Sequence, residues 1–130
     1  MFDLAHDATS HKIINEFYES KKIVAAVCHG PAALAYVKLS SGEFLLAGQP
    51  NTGFSSSEED AAGTAPYMPF VLEDALRAAS GSGQYTKAAN DWAEKVVVAR
   101  DGLLITGQNP ASAAGVGKAI YKSLFGKSSN

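Results

Sequence analysis

Val24-Ala25-Ala26-Val27-Cys28-His29-Gly30-Pro31-Ala32-Ala33 sets the chain's only cysteine where a short apolar run meets a Gly-Pro break. Residues 23–27 are continuously apolar with β-branched side chains, the pattern of a strand covered on both faces as in a parallel sheet. Pro31 is preset for an early helical position, where it loses no needed donor, so a helix is expected in the residues after Cys28. A side chain at such a turn stands at the top of the sheet, near unpaired N–H groups and the positive end of a helix dipole. Both favour a thiolate, the attacking form of cysteine. The backbone donors of the turn, at His29 and Gly30, can hold an oxyanion. The position equally suits a small buried apolar residue, as free cysteine often is.

His29 bears on that choice, because an imidazole next to the sulfur can shuttle protons for it or for a bound substrate. The alternative is a histidine that only bonds a loop carbonyl. An oriented base needs a holder, commonly a carboxylate. Glu58-Glu59, following Gly53-Phe54-Ser55-Ser56-Ser57, is the candidate source, against the plainer reading of a solvated acidic pair.

Upstream, residues 8–20 read as a surface-docked helix with Ile13, Ile14, Phe17 and Tyr18 on one face. Downstream, 43–47 and 49–54 read as short strands around Gly48, although Pro50 argues against a central strand. Residues 55–65 are too polar for core and form a functional loop or short exposed helix. Pro69 opens a helix with Phe70/Val71, Asp74/Ala75 and Ala78 in register, closed by Ser80-Gly81-Ser82-Gly83. Val96-Val97-Val98-Ala99 and Leu103-Leu104-Ile105-Thr106 flank an Asp101-Gly102 turn, the strongest hairpin signal in the chain. Asn109 caps a last helix with Pro110 at its first position and Val116, Ile120 and Leu124 on one face. Phe54 and Trp92 read as packing residues. His6 and His11 read as solvent-facing on the first helix.

With 130 residues, 46% hydrophobic, 18% charged and a net charge of −2, residues 1–130 read as one ordinary globular domain. One cysteine excludes an intrachain disulfide, and three histidines lack the spacing of a zinc site. A reducing, cytoplasmic setting is expected. No apolar stretch approaches the ~20 residues of a membrane span, and scattered Lys and Arg give no footprint for nucleic acid.

Four ordered stretches carry a resemblance: Ala26-Val27-Cys28-His29-Gly30-Pro31, Thr52-Gly53-Phe54-Ser55-Ser56-Ser57-Glu58-Glu59, Pro69-Phe70-Val71-Leu72-Glu73-Asp74, and Leu104-Ile105-Thr106-Gly107-Gln108-Asn109-Pro110-Ala111-Ser112. In this order they resemble the second half of the ThiJ/PfpI superfamily, the class I glutamine amidotransferase-like proteins, in its glyoxalase III and heat-shock chaperone branch. The resemblance implies an α/β, flavodoxin-like three-layer sandwich with a mostly parallel sheet. It places Cys28 on a nucleophile elbow, His29 beside it, and Glu59 as the third member of the triad, with Glu58 as the alternative. Asn109 falls near the rim of the site, where it and Glu58 are candidates for the substrate side.

The activity implied is conversion of methylglyoxal, a small 2-oxoaldehyde, to D-lactate without glutathione, metal or other cofactor. The thiolate adds to the aldehyde, backbone N–H groups hold the oxyanion, and an acid/base pair moves a proton between the adjacent carbons before hydrolysis. A stress chaperone or redox sensor, in which Cys28 is oxidised reversibly, is the other family role. Turnover needs His29 and a carboxylate, whereas oxidation does not. Homodimers are common in the family. Its members begin with a strand and helix carrying another glutamate and a Gly-Gly-His-Gly turn. Met1-Phe2-Asp3-Leu4 resembles the segment after that turn, so the leading strands are expected to be missing and this segment alone to be inactive.

Overall fold

The computed structural model describes residues 1–126. Its centre is a three-stranded sheet in the order β1-β3-β2, with β1 at Val24–Val27, β2 at Val96–Ala99 and β3 at Leu104–Gly107. β1 runs parallel to β3, pairing Val24 with Leu104 and Val27 with Gly107, and β2 runs antiparallel to β3, pairing Val96 with Gly107. The architecture is mixed α/β, as expected. Every residue of β3 is buried, which suits a central strand and its near-continuous apolar run. β1 lies at a sheet edge among the described residues, and its Ala25 is exposed rather than covered.

The hairpin joining β2 to β3 turns where Asp101-Gly102 predicts it. Arg100, Asp101 and Gly102 take φ of 50°, 55° and 89° in succession, the positive values that a tight reversal of twisted strands requires. Arg100 pays for its conformation by donating two bonds to Leu45 O, at 3.1 and 2.9 Å, and one to Tyr18 Oη at 3.2 Å. Helix α1, Ala8–Glu19, is capped by Asp7, whose carboxylate accepts from Ser10 N at 2.7 Å. Of the expected apolar face, Ile14 and Tyr18 pack on the core while Ile13 and Phe17 stay exposed. His6 is exposed, as expected, but precedes α1 and stacks on Tyr36; His11 is half-buried, with Nε2 2.8 Å from Ala5 O.

Three expectations give way between β1 and β2. Instead of a helix after Cys28 there is one 3-10 turn at Gly30–Ala33. The following residues, Leu34, Ala35 and Val37, are buried, and Val37 O accepts from Leu45 N at 2.8 Å, so backbone bonding runs across the chain rather than up a helix. The strands expected at 43–47 and 49–54 reduce to single bridges, Lys38 with Phe44 and Asn51 with Tyr85. Turn bonds from Ala47 N to Phe44 O and Gln49 N to Leu46 O consume the groups a ladder would need. The polar stretch 55–65 contains helix α2, Ser56–Ala62, and is not excluded from the core: Ser55 and Glu58 are completely buried.

Helix α3, Leu72–Ser80, starts later than Pro69 predicts and buries Leu72, Leu76 and Ala79, a different register from the expected one. Val71 is its exposed N-cap, and Phe70 joins His6 and Tyr36 in an aromatic cluster outside the helix. Helix α4, Ala113–Phe125, packs against β1, β2 and β3. Val116 is buried but Leu124 is exposed, so the apolar face predicted for α4 holds only in its first half. Gly107 makes that packing possible, since a Cβ there would lie 2.6 Å from Val116 Cγ2 and 3.0 Å from Val27 Cγ2. No helix among the described residues is long and apolar enough to cross a membrane.

Candidate functional site: Cys28, His29 and the α2 carboxylates

Cys28 follows β1 directly and takes φ 64°, in the left-handed region that costs a residue with a Cβ of order 1–3 kcal/mol. Two bonds hold it there. Its N–H donates to Gly107 O at 3.0 Å at the end of β3, and its carbonyl accepts from Phe54 N at 2.9 Å. The backbone is thus bent away from the strand and clamped between β3 and the segment leading into α2. The bend turns His29 back toward the sulfur, with Nδ1 3.5 Å from Sγ.

The far side of the imidazole faces α2. His29 Nε2 lies 2.9 Å from Glu59 Oε1 and 3.0 Å from Oε2, and the carboxylate also accepts from Thr64 Oγ1 at 2.8 Å. An ionised carboxylate only accepts, so Nε2 carries the proton, and in the neutral ring Nδ1 presents a lone pair toward the thiol. The ring packs on Phe54, centroids 4.4 Å apart, and Phe54 meets Trp92 edge-on at 5.6 Å. Phe54 is buried as a packing residue should be, while Trp92 is 46% exposed beside it.

Glu58, the neighbour of Glu59, points inward. Its Oε2 accepts from Ser55 N at 3.0 Å and Ser55 Oγ at 2.8 Å, and its Oε1 from Trp92 N at 3.0 Å and Asn109 Nδ2 at 2.8 Å. Ser55 and Glu58 form a capping box that starts α2. Burial opposes ionisation of Glu58, but the donors from Ser55, Asn109 and Trp92 prevail and hold its carboxyl below the ordinary range. Asn109, expected as a helix cap, is fully buried and spends its amide on Glu58 and on Ala93 O instead. A 3-10 turn at Pro110–Ser112 intervenes before α4.

Burial raises the Cys28 pKa, the His29 backbone N–H partly offsets this, and the charges of Glu58 and Glu59 raise it further. Burial and these charges thus favour the thiol, in the opposite sense to the thiolate expected from the turn alone. The helix dipole that was to lower its pKa is absent, since one short 3-10 turn follows Cys28. A cleft of about 400 Å³ lies beside Glu59, walled by Phe54, Met68, Phe70 and Leu72; Cys28 and His29 do not line it. Among the described residues no three His, Cys, Asp or Glu side chains gather as metal ligands would.

Residues 28, 29 and 59 are thus brought together, whereas Glu58 and Asn109 are joined to each other in the interior. Sequence reasoning missed Thr64, near the end of the stretch 55–65 read as a functional loop or short exposed helix. The spacing Ser55-x-x-Glu58 is a capping-box signature that announces the start of α2, and Gly63 marks its end.

No protein-family model matches the chain. Among curated proteins, "Probable glutathione-independent glyoxalase hsp3103" of Schizosaccharomyces pombe is 31% identical over 131 residues, covering 95% of this chain and 49% of the relative. Glyoxalase III of Candida albicans superposes with a TM-score of 0.83 at 28% identity, over 94% of this chain and 52% of that one. A two-domain protein of Anabaena variabilis with DJ-1/ThiJ/PfpI-like and ferritin-like domains matches with a TM-score of 0.59 at 29% identity, over 93% and 26%. The chain spans about half the length of the curated relatives it matches.

Fold and site together define an α/β domain with a cysteine–histidine pair on a sharp turn after a parallel strand. The chain belongs to the ThiJ/PfpI superfamily, matching about half the length of relatives named as glyoxalases.

Proposed function

We propose that the protein carrying this chain converts methylglyoxal, or a closely related small 2-oxoaldehyde, to the 2-hydroxy acid without glutathione, with Cys28 as nucleophile, His29 as base and acid, and Glu59 as the group that orients it. The observation that carries this reading is the continuous line from Cys28 Sγ through both imidazole nitrogens to the Glu59 carboxylate. Relatives named as glutathione-independent glyoxalases support the choice of substrate.

His29 Nδ1 takes the thiol proton as sulfur attacks the aldehyde carbon, so the elevated Cys28 pKa is met by a base at the moment of attack. The N–H groups of His29 and Gly30 are assigned to the aldehyde oxygen as it gains charge. His29 returns that proton to the oxygen, giving a neutral hemithioacetal, and is free to take the proton of the former aldehyde carbon and deliver it to the neighbouring carbon. The hydroxyl proton passes to the former ketone oxygen, so the ketone becomes CH–OH and the sulfur-bearing carbon a thioester. Water releases the acid and returns the proton to sulfur. Glu59 keeps the Nε2–H tautomer throughout and stabilises the imidazolium when it forms.

The single free cysteine suits the reducing cytoplasm as the place of action. A homodimer is the assembly the family resemblance implies. The test is D-lactate formation from methylglyoxal by the whole protein without glutathione, with His29→Ala and Glu59→Gln alongside. Turnover lost in both supports the reading, and wild-type turnover in His29→Ala overturns it.

A further inference from the structure

We propose that Thr64 is a positioning residue of this site, its hydroxyl fixing the orientation in which Glu59 meets His29. The inference rests on the reading of His29 and Glu59 as an acid/base pair.

The single Nε2–H is shared between Glu59 Oε1 and Oε2 at 2.9 and 3.0 Å. A glutamate's terminal torsion is broad, so that one bond leaves the carboxylate plane free to swing. Thr64 Oγ1 supplies a second, off-axis bond to Oε2 at 2.8 Å. Since a carboxylate offers only acceptors, the hydroxyl is the donor, and Oε2 at 2.8 Å is a far better acceptor for its proton than Glu59 O at 3.5 Å. The Glu59 side chain is 12% exposed, so little water stands ready to replace that donor.

The contact is built into the end of α2. Gly63 takes φ 71°, the left-handed value that glycine adopts at no steric cost, and its N–H donates to Asp60 O. The chain thereby reverses, and Thr64 N donates to Glu59 O at 3.2 Å. Thr64 is tied to Glu59 by backbone and by side chain at once. Its branched Cβ restricts χ1 and keeps the hydroxyl aimed at the carboxylate. A helix end thus holds the carboxylate that selects the imidazole tautomer.

The experiment compares the whole protein as wild type, Thr64→Val and Thr64→Ser. One arm measures D-lactate formation from methylglyoxal; the other records the His29 ring nitrogens and the Nε2–H proton by NMR. Thr64→Val is expected to lower kcat about tenfold, the size of a lost hydrogen bond to a charged acceptor, with KM unchanged. The Nε2–H resonance is expected to move in Thr64→Val, and Thr64→Ser restores both readouts. Wild-type kcat in Thr64→Val, a loss confined to KM, or an equal loss in Thr64→Ser overturns the proposal. The NMR arm does not depend on the substrate. If methylglyoxal is not turned over at all, a shifted and serine-rescued Nε2–H signal still supports the role of Thr64, and an unmoved signal overturns it. Thr64→Ala, read against Thr64→Ser in the same way, covers disturbance of the fold by valine.

Discussion

Glu58 and Glu59 are adjacent on α2 and serve different partners: Glu59 accepts from His29 Nε2 at 2.9 Å, while Glu58 accepts from Asn109 Nδ2 at 2.8 Å in the interior. Isosteric substitution separates the two roles. Glu59→Gln removes the acceptor that fixes the tautomer, and turnover is expected to fall roughly 10²–10⁴-fold with little change in stability. Glu58→Gln puts an amide NH2 against donors already aimed at it and is expected to cost about 2 kcal/mol in urea unfolding. Equal stability losses in the two variants would contradict this division.

Acid stability follows from the same buried carboxylate together with Glu73. Burial opposes ionisation of Glu73, but Ser56 N, Arg77 and Lys87 prevail and hold it low, as the donors around Glu58 do there. Both folded-state values lie below the ordinary 4.5, so the unfolded chain takes up protons first as pH falls. The contribution is fully present above that ordinary value and is lost as pH falls through the lower folded values. Stability is expected to drop below pH 4.5, with a shallower slope in Glu58→Gln and Glu73→Gln. An unchanged slope in both variants would count against the assignment.

Cys28 behaves in the opposite sense. Burial and the nearby carboxylates favour the thiol, so alkylation by iodoacetamide is expected to keep accelerating as pH rises past the ordinary 9.0. A rate that levels off near neutral pH would reveal a preformed thiolate and remove the need for His29 to take the proton.

The elements legible in the sequence were those fixed by local chemistry. Val24–Val27 and the hairpin at Asp101-Gly102 emerge because an apolar run and a turn dipeptide act over a few residues. The pair at 58–59 was a candidate partner for His29 on chemical grounds, but the choice of Glu59 came only through resemblance, since thirty residues of chain separate the partners. The helix expected after Gly30-Pro31 failed because cross-chain bonds, such as Leu45 N to Val37 O, outweighed local preference. The inward turn of Glu58 was hidden because four donors from Ser55, Trp92 and Asn109 converge only in the folded chain. Composition alone marks such a residue as solvated.

The most direct test of the account is D-lactate formation from methylglyoxal, without glutathione, by the whole protein as wild type and as Cys28→Ser. The account predicts turnover in the wild type and a loss of at least about 10³-fold in Cys28→Ser, as expected when a nucleophile is removed. D-lactate formation in Cys28→Ser at the wild-type rate would contradict it.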